Sequence, residues 1–394
     1  MPGRAAEVFT TFLRLGLVAF GGPFAHLGYF RRELVERRRW VTEDQFVQLM
    51  GLCQLLPGPA SSQLGFSLGL VRAGWAGAVA AFAGFTLPAA LLMFAFANLL
   101  PGLEPAAARV LVHGLKLVAV AVVADGTWRM FRQLCTDGPR IGIAVASAAA
   151  VVAFGNGWTQ LAVVAAGALA GIAFCRVASV AAFEPPRLPY GHRTGVALFA
   201  LYLALLAALP VAARAFDGRV AVAAAFYHAG ALVFGGGHVV LPLLQQTVVD
   251  PGWIPRDAFL AGYGAVQAVP GPMFSLAAYL GARLDGGLGG PAGALTALFA
   301  IMLPGLLLVT AVLPLWGALT ARRGAVRAIA GVNAGVVGLL AAALYDPVWV
   351  SAVLSPLDAA VALAGFALLA ARRASSLWVV AWCVLSTAAR AWAG

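Results

Sequence analysis

Charged residues are scarce in this chain. Asp, Glu, Lys and Arg together make up 10% of its 394 residues, whereas 62% of the residues are hydrophobic. A soluble domain typically has about a quarter of its residues charged and about half apolar. A water-soluble core cannot absorb such an excess of apolar side chains, whereas a lipid bilayer can. Apolar windows as long as a spanning helix, such as 75–100, therefore predict a protein of membrane-spanning helices.

Cysteine pairs and nucleotide-binding motifs are also missing. The four cysteines are scattered and form no CxxC pair, which argues against a disulfide framework or a zinc site. No glycine-rich P-loop is present, so this chain is not expected to hydrolyse ATP itself. Acidic residues number only 15 and do not cluster, apart from Glu43-Asp44. We therefore expect no enzymatic activity, no metal centre and no cofactor.

The charges that are present are mostly positive. The 26 Lys and Arg residues outnumber the 15 Asp and Glu residues and give a net charge of +11. Most arginines lie in short loops between apolar runs, which is typical of loops held in the cytoplasm. This placement predicts contact with the lipid bilayer rather than with nucleic acid. It also predicts a multi-pass protein of the bacterial inner membrane with a cytoplasmic N-terminus.

A weak internal repeat runs through the sequence. Several motifs recur in the same order at a nearly constant offset, which is typical of duplicated secondary transporters. The matched pairs are Phe20-Gly21-Gly22-Pro23 with Phe234-Gly235-Gly236-Gly237, Gln54-Leu55-Leu56-Pro57-Gly58-Pro59 with Gln267-Ala268-Val269-Pro270-Gly271-Pro272, Leu87-Pro88 with Leu303-Pro304, and Gly114-Leu115-Lys116 with Gly331-Val332-Asn333. We therefore predict an N-terminal transporter repeat over 1–180, a linker with an extra transmembrane helix over 181–221, and a C-terminal transporter repeat over 222–394.

Both repeats contain apolar runs that end at glycine and proline. The run 45–56 stops at Pro57-Gly58-Pro59, and its twelve residues reach only roughly 18 Å of the ~30 Å hydrocarbon core. Proline removes a backbone donor and clashes with the preceding helical turn. We therefore predict half-helices that enter the membrane and return on the same side, together with nine full spans. The predicted spans are 75–99, 106–132, 141–156, 158–175, 195–213, 292–316, 326–345, 349–371 and 375–392.

The distribution of arginines separates two topologies. With re-entrant hairpins most arginines face the cytoplasm, whereas thirteen full spans would divide them more evenly. The positive-inside rule therefore favours the hairpins. In both topologies an odd number of spans separates equivalent points of the repeats, so the repeats have opposite orientations. The predicted fold is an all-α integral membrane protein, an inverted-topology tandem repeat with broken, re-entrant helices.

These motifs resemble the chromate ion transporter family in its long, two-domain form. The residues that carry the resemblance are Phe20-Gly21-Gly22-Pro23 with His26, Arg39-Trp40-Val41, Gln54 to Pro59 with Gln63, Phe85-Thr86-Leu87-Pro88, and the second-half motifs Phe234 to His238, Gln267 to Pro272 and Leu303-Pro304. The resemblance covers nearly the whole chain. It implies a secondary transporter that exports chromate from the cytoplasm, depends on the proton-motive force and confers chromate resistance.

Other functions stay open. Sulfate and other tetrahedral oxyanions have nearly the same shape as chromate, so they are alternative substrates. A membrane enzyme acting on lipid-linked substrates is a more remote alternative, because such enzymes usually cluster carboxylates or histidines. A purely structural scaffold would not need breaks at matching positions. The sequence also leaves open whether the chain forms a homodimer.

The Pro-Gly-Pro breaks are the strongest candidates for a substrate site. A tetrahedral dianion in a bilayer needs hydrogen-bond donors and positive potential, and a helix N-terminus supplies both. Glycine lets the backbone approach closely, and proline is well placed at a helix start. The alternative is that these residues only kink packed helices. The predicted substrate-binding residues at the breaks and glycine motifs are Gln54, Pro57, Gly58, Pro59, Ser61, Ser62, Gln63, Gln267, Pro270, Gly271, Pro272, Ser275, Gly21, Gly22, Gly235 and Gly236.

Polar side chains within the apolar segments complete the candidate site. They are Arg14, His26, Lys116, His238 and Asn333. Intramembrane ionisable groups are functional candidates by default. Arg14 has the alternative of reaching from a short helix to the membrane interface. The two histidines either titrate with transport or cap broken helices.

Lys116 has two interpretations of its own. It either attracts the anion, which we prefer, or pairs with Asp125 further along the same segment. An acidic residue in a carrier of anions is repulsive unless it is paired or takes up a proton. Arg129, one helical turn after Asp125, is the predicted partner of that carboxylate.

Overall fold

The computed structural model describes residues 2–20, 22–154, 157–176, 188–216, 218–233, 240–316, 322–371 and 375–393, and its regular secondary structure is helical throughout these ranges. The helices are α1 Pro2–Val18, α2 Gly22–Phe30, α3 Glu43–Leu55, α4 Ala60–Leu99, α5 Pro105–Leu134, α6 Gly138–Phe154, α7 Gly157–Phe174, α8 His192–Ala215, α9 Arg219–Ala231, α10 Val240–Leu244, α11 Arg256–Val266, α12 Leu276–Ala282, α13 Gly290–Val312, α14 Arg323–Ala343, α15 Pro356–Ala370 and α16 Ser376–Ala393. Short π or 3₁₀ segments extend several of them, among them Arg31–Arg37, Gln245–Val249, Met273–Ser275 and Leu344–Trp349.

Five helical segments in the described part of the chain are long and apolar enough to cross a membrane. They are Ala60–Gly102, Pro105–Leu134, His192–Ala215, Gly290–Leu315 and Arg323–Ala352. A hydrocarbon core of about 30 Å needs roughly 20 helical residues, and all five segments exceed that length. The predicted all-α integral membrane class is therefore confirmed, and the chain is a multi-pass membrane protein.

The helices of the first half are interrupted at the predicted Pro-Gly-Pro break and again at a glycine that was not predicted to break a helix. α3 ends at Leu55, and only its C-cap residue Leu56 separates it from the first Pro-Gly-Pro. Within α4 the backbone leaves the helical region at Ala73 and at Gly74, where φ is 64°. Residues 60–72 therefore form a half-helix, and the predicted span 75–99 begins after this break.

The predicted full span 349–371 is wrong. The backbone leaves the helical region at Asp346, and after the six residues 347–352 it is extended again at Val353. α15 then starts afresh because the Ser355 hydroxyl accepts the Asp358 N–H and caps its N-terminus. The helix that remains has 15 residues. Hydropathy alone predicted one span here, since it does not register a helix cap inside an apolar run.

The two halves of the chain exchange their C-terminal helices. α5 of the first half packs against α15 and α16, and α14 of the second half packs against α6 and α7. Small residues allow these backbones to approach closely. A Cβ on Gly114 would lie 2.8 Å from the Val384 Cα, and one on Gly331 would clash with the Gly167 carbonyl. Each half is therefore completed by the last helices of the other.

The helices that precede the glycine motifs pack in a matching way. α1 packs on α4, and α9 packs on α13. A Cβ on Gly16 would lie 2.8 Å from the Phe85 carbonyl oxygen, and one on Gly230 would clash with the Ile301 carbonyl. These close contacts fix the position of the backbone just before each glycine motif.

Candidate substrate site

The first Pro-Gly-Pro break is buried and is held by the second half of the chain. Gly58 has a φ of 120°, a conformation that favours glycine. Its N–H donates a 2.6 Å hydrogen bond to the Val233 carbonyl, at the end of the segment that follows α9. A Cβ on Gly58 would lie 2.7 Å from the Gly305 Cα of α13. The break therefore requires glycine both for its backbone conformation and for its close contact.

The second break repeats this arrangement with the halves exchanged. Gly271 has a φ of 104°, and its N–H donates a 3.0 Å hydrogen bond to the Ala19 carbonyl. A Cβ on Gly271 would lie 3.1 Å from the Ala89 Cβ and 3.2 Å from the Phe85 carbonyl oxygen, both on α4. Each break thus docks on the backbone that leads to the glycine motif of the other half.

The helix start after the first break has donors without acceptors. The backbone N–H groups of Ala60, Ser61 and Ser62 have no hydrogen-bond acceptor among the described residues. The Ser62 side chain is 2% exposed, and its hydroxyl has no partner in the described part of the chain. Buried polar groups are almost always hydrogen-bonded, so this cluster is a set of donors that could bind a ligand.

The helix start after the second break has the same property. The Met273 and Phe274 N–H groups have no acceptor within the described ranges, and all the residues of this turn are buried. Ser275 corresponds to Ser62 in the repeat, and its fully buried hydroxyl is also without a described partner. Two buried helix N-termini at matching positions therefore each present free N–H groups and one free hydroxyl. Such ends attract anions.

Gln63 braces the first break. Its Nε2 atom donates to the Pro57 carbonyl at 2.8 Å and to the Gly305 carbonyl at 3.0 Å, and the side chain is fully buried. Both amide hydrogens are therefore used by the protein backbone. The second half has Leu276 at this position, so the brace exists on one side only.

The paired glutamines before the breaks differ in their surroundings. Gln267 is buried, and its Nε2 lies 3.3 Å from the Tyr263 carbonyl, one turn back in the helix, and 3.8 Å from the Met273 sulfur. Gln54 is half-buried and has no hydrogen-bond partner among the residues described. Of the two, Gln54 has its amide free to meet a ligand.

Both halves of the sequence match the same family model, described as Chromate transporter, over residues 6–172 and 220–388. The chain belongs to the chromate transporter family. This confirms the resemblance carried by the glycine and Pro-Gly-Pro motifs. No solved structure matches the chain significantly.

Relatives named for chromate transport cover most of the chain. It is 29% identical over 353 residues to a chromate transport protein of Pseudomonas aeruginosa, which covers 89% of this chain and 83% of the relative. A chromate transport protein of Cupriavidus metallidurans is 28% identical over 297 residues, 73% of this chain and 69% of that protein. A probable chromate transport protein of Synechococcus elongatus is 30% identical over 280 residues, 70% of this chain and 68% of that protein.

His26 lies at the docking point of the second break in this chromate transporter homologue. Its Nε2 is 3.1 Å from the Ala19 carbonyl, the same oxygen that accepts the Gly271 N–H. The fully buried ring stands edge-on to Phe85 with a centroid distance of 5.2 Å, and Nδ1 has no partner in the described structure. His26 therefore positions the break. Of the other predicted residues in the glycine motifs, Gly22 begins α2, whereas Gly21, Gly235, Gly236 and His238 lie outside the described residues.

Lys116 pairs with Asp257, an acid that was not predicted as its partner. Its Nζ donates to the Asp257 Oδ1 at 2.7 Å, across the contact between α5 and α11. The predicted alternative, a pair with Asp125, is wrong. The Arg129 Nε contacts both Asp125 oxygens at 2.8 and 2.9 Å, which confirms the predicted helical pair. Asn333, the counterpart of Lys116, is buried, and its Oδ1 has no described partner.

Arg14 does not lie with the residues of the Pro-Gly-Pro breaks. It is exposed on α1, whereas Gly16 packs on α4. Two helical residues turn the side chain by about 200°, so Arg14 points away from α4. It forms no ion pair with any described residue.

Thr86 is a further candidate that was not among the predicted site residues. It belongs to the Phe85–Pro88 motif and lies beside the carbonyl on which Gly271 packs. Its side chain is 3% exposed, and its hydroxyl has no partner in the described structure. The second half offers no hydroxyl for comparison, because Met302 stands at the corresponding place. A buried Thr inside a repeated motif was the only available signal.

The basic segment 31–39 is largely neutralised by acids. Arg38 donates to Glu33 at 2.6 Å, and Arg38 and Arg72 both contact Glu7 and flank the Trp40 ring. Burial raises the pKa of the Glu33 carboxyl, but hydrogen bonds from Arg38 and Arg37 outweigh it and leave the pKa below its usual value. Glu33 is therefore ionised at neutral pH and holds this surface segment together.

A polar cavity of about 450 Å³ lies beside the first turn of α11. Asp250, Asp346 and Arg256 line it, and Arg256 is 3.8 Å from Asp346. Carboxylates outnumber cations in this lining, so the cavity suits a dianion poorly. The two helix starts remain the better candidate site for an anion.

Proposed function

We propose that this chain is a secondary transporter that exports chromate from the cytoplasm and thereby confers chromate resistance. Its membership of the chromate transporter family supports transport of chromate, and relatives in two bacterial species carry the name chromate transport protein. The observation that carries the proposal is the pair of buried helix starts around Ser62 and Ser275, whose backbone N–H groups and hydroxyls have no partner among the described residues.

The donors fit the chemistry of the substrate. Chromate is a tetrahedral dianion whose four oxygens accept hydrogen bonds. Removing an ion from water is costly unless charge or hydrogen bonds compensate it. Helix N-termini and serine hydroxyls provide that compensation without a fixed net charge, so the site need not hold a permanent counterion when it is empty. In this conformation Lys116 is not free to compensate the charge of the anion, because its ammonium group forms an ion pair with Asp257.

We further propose that the two repeats have opposite orientations, with the N-terminus in the cytoplasm. The arginine distribution supports this topology. So does the reciprocal docking, in which Gly58 binds Val233 and Gly271 binds Ala19. Single cysteines at the exposed positions Glu36 and Asp250 should react with a membrane-impermeant thiol reagent from opposite sides of the membrane. Reaction of both from the same side would eliminate the inverted arrangement.

Sulfate is the alternative substrate, since it offers the same tetrahedral oxygens. The function test is uptake of radiolabelled chromate and sulfate into everted membrane vesicles, where export appears as uptake. We expect chromate uptake that collapses when an uncoupler removes the proton gradient. Vesicles from cells without the protein are the control. Uptake of sulfate alone would make the chain a sulfate carrier, and chromate uptake only by right-side-out vesicles would reverse the proposed direction.

A further inference from the structure

α3 and α11 occupy corresponding positions in the two repeats, but they are not docked alike. Gly264 of α11 packs so closely on α5 that a Cβ there would clash with the Leu115 carbonyl. Gly51 is the corresponding residue of α3, and nothing lies within 4 Å of the place where its Cβ would be. Glycine weakens a helix relative to alanine, yet no neighbour in this conformation requires glycine at position 51.

The charged and polar groups show the same difference. Asp257 of α11 holds the buried Lys116 of α5 with an N–O distance of 2.7 Å. The corresponding residue of α3, Asp44, is exposed and has no partner among the described residues. The residue that corresponds to Lys116, Asn333 of α14, is buried with an unpartnered Oδ1. α11 therefore makes this contact with the helix opposite it, whereas α3 has the corresponding residue but does not make the contact.

Other backbone contacts of the repeat match between the two halves. Gly58 and Gly271 each donate to the backbone of the other half. Gly69 approaches the Gly77 carbonyl just as Gly281 approaches the Gly293 carbonyl. Because these contacts are shared, general divergence of the two halves does not explain the difference. The asymmetry concerns how α3 and α11 meet the helices opposite them.

We propose that α3 and α11 are two alternating gates, and that the structure has the α11 gate shut and the α3 gate open. In the opposite conformation Gly51 packs on the backbone of Val332 in α14, Asp44 approaches Asn333, and the contact between α11 and α5 separates. The Lys116–Asp257 ion pair then breaks. This inference rests on the proposed function as an inverted-repeat carrier, in which exchanging the conformations of the repeats moves access from one side to the other. With the proposed orientation, the structure is open toward the cytoplasm.

Chemical cross-linking tests the two gates directly. In a background with the four buried cysteines Cys53, Cys135, Cys175 and Cys383 changed to alanine, one variant carries Lys116→Cys with Asp257→Cys and another carries Asn333→Cys with Asp44→Cys. A short bifunctional thiol reagent should link both pairs and block transport in each case, and a reductant that cleaves the linker should restore it. In a third variant that carries both introduced cysteine pairs, linking either pair first should lower the yield of linking of the other pair at least tenfold.

Linking of the first pair without any linking of the second would overturn the proposal, since α3 would then never close. Cross-linking needs no substrate, so the experiment distinguishes failure of the proposed gates from failure of the proposed transport function. Chromate uptake without an α3 cross-link would refute only the gates. Both cross-links without chromate or sulfate uptake would refute only the proposed function.

A matched pair of glycine variants provides the second test. Gly142 of α6, like Gly51, has open space where a Cβ would be. Gly51→Leu should leave the amount of protein and its Tm unchanged, because nothing lies within 4 Å of the new Cβ in this conformation. It should lower the transport rate at least tenfold, because α3 can no longer close on α14, whereas Gly142→Leu should transport normally. Full transport by Gly51→Leu would show that α3 does not dock there.

Discussion

The two halves of the molecule hold the same backbone break by different means. At the first break, Gly58 packs on Gly305, and Gln63 ties the break to the Gly305 carbonyl. At the second break, Gly271 packs on the Ala89 methyl group, and an apolar residue replaces the glutamine. Both halves keep a left-handed glycine whose N–H binds the other half. The conformation of the break is therefore the common requirement, whereas the bracing side chains vary.

The largest expected effect comes from removing the breaks themselves. Replacing Pro57-Gly58-Pro59 with three alanines should let α3 continue into α4, since alanine favours a helix and proline interrupts one. A Cβ at position 58 would also press on Gly305. Transport should be abolished while the protein still inserts, as measured by vesicle uptake against membrane abundance. The same replacement of Pro270-Gly271-Pro272 should have an equal effect if both halves build one site.

The control for both break variants is Pro210→Ala. Pro210 is exposed within α8, so its removal alters a helix-interior proline outside the candidate site. Transport by this variant should be normal. If either triple-alanine variant also transported normally, the break would be a packing kink, and the shared conformation of the two breaks would have no role in binding.

Intermediate effects are expected from the two serines. Ser62→Ala and Ser275→Ala remove hydroxyls that have no partner in the described structure, so stability should not fall. A hydrogen bond to a charged ligand contributes about 1.5–3 kcal/mol, so the half-saturation concentration for chromate should rise roughly 10–100-fold in each variant. Concentration-dependent uptake, normalised to protein level, measures this change.

Ser67→Ala is the matched control for the serines. Ser67 is equally buried, but its hydroxyl already donates to the Gln63 carbonyl at 2.8 Å. Its removal should lower the Tm rather than raise the half-saturation concentration. A rise for only one of Ser62→Ala and Ser275→Ala would mean that the halves contribute unequally to the site. A rise for neither would remove the hydroxyls from it.

Local features of the fold were predictable from the sequence, whereas contacts between distant elements were not. The end of α3 before Pro57 and the Asp125–Arg129 pair follow from residues within one or two turns. The Lys116–Asp257 pair joins residues 141 positions apart, and it depends on how α11 docks on α5. The repeat aligned Lys116 with Asn333, but an alignment carries no information about which of two related contacts is closed.

The candidate site was likewise predictable in its local features but not in its contacts between the two halves. The Pro-Gly-Pro motifs predicted buried helix starts, because the chemistry of proline and glycine acts within the motif itself. The partners of the break glycines, Val233 and Ala19, could not be predicted, since each belongs to the other half. For the same reason Gln63 was expected to bind substrate, whereas its amide hydrogens bind two backbone carbonyls.

The smallest expected effect is that of removing the Gln63 side chain, which braces the first break. Gln63→Leu gives the first half the residue that the second half already has, and it leaves the Pro57 and Gly305 carbonyls without their shared donor. The better packing of leucine offsets part of this loss, so the free energy of unfolding should fall by about 2 kcal/mol. The Tm in detergent should fall by a few degrees, whereas Gln54→Leu, at a side chain without a described partner, should leave the Tm unchanged. An unchanged Tm for Gln63→Leu would mean that the backbone hydrogen bond and the packing of Gly58 hold the first break without a glutamine, just as the second break is held without one.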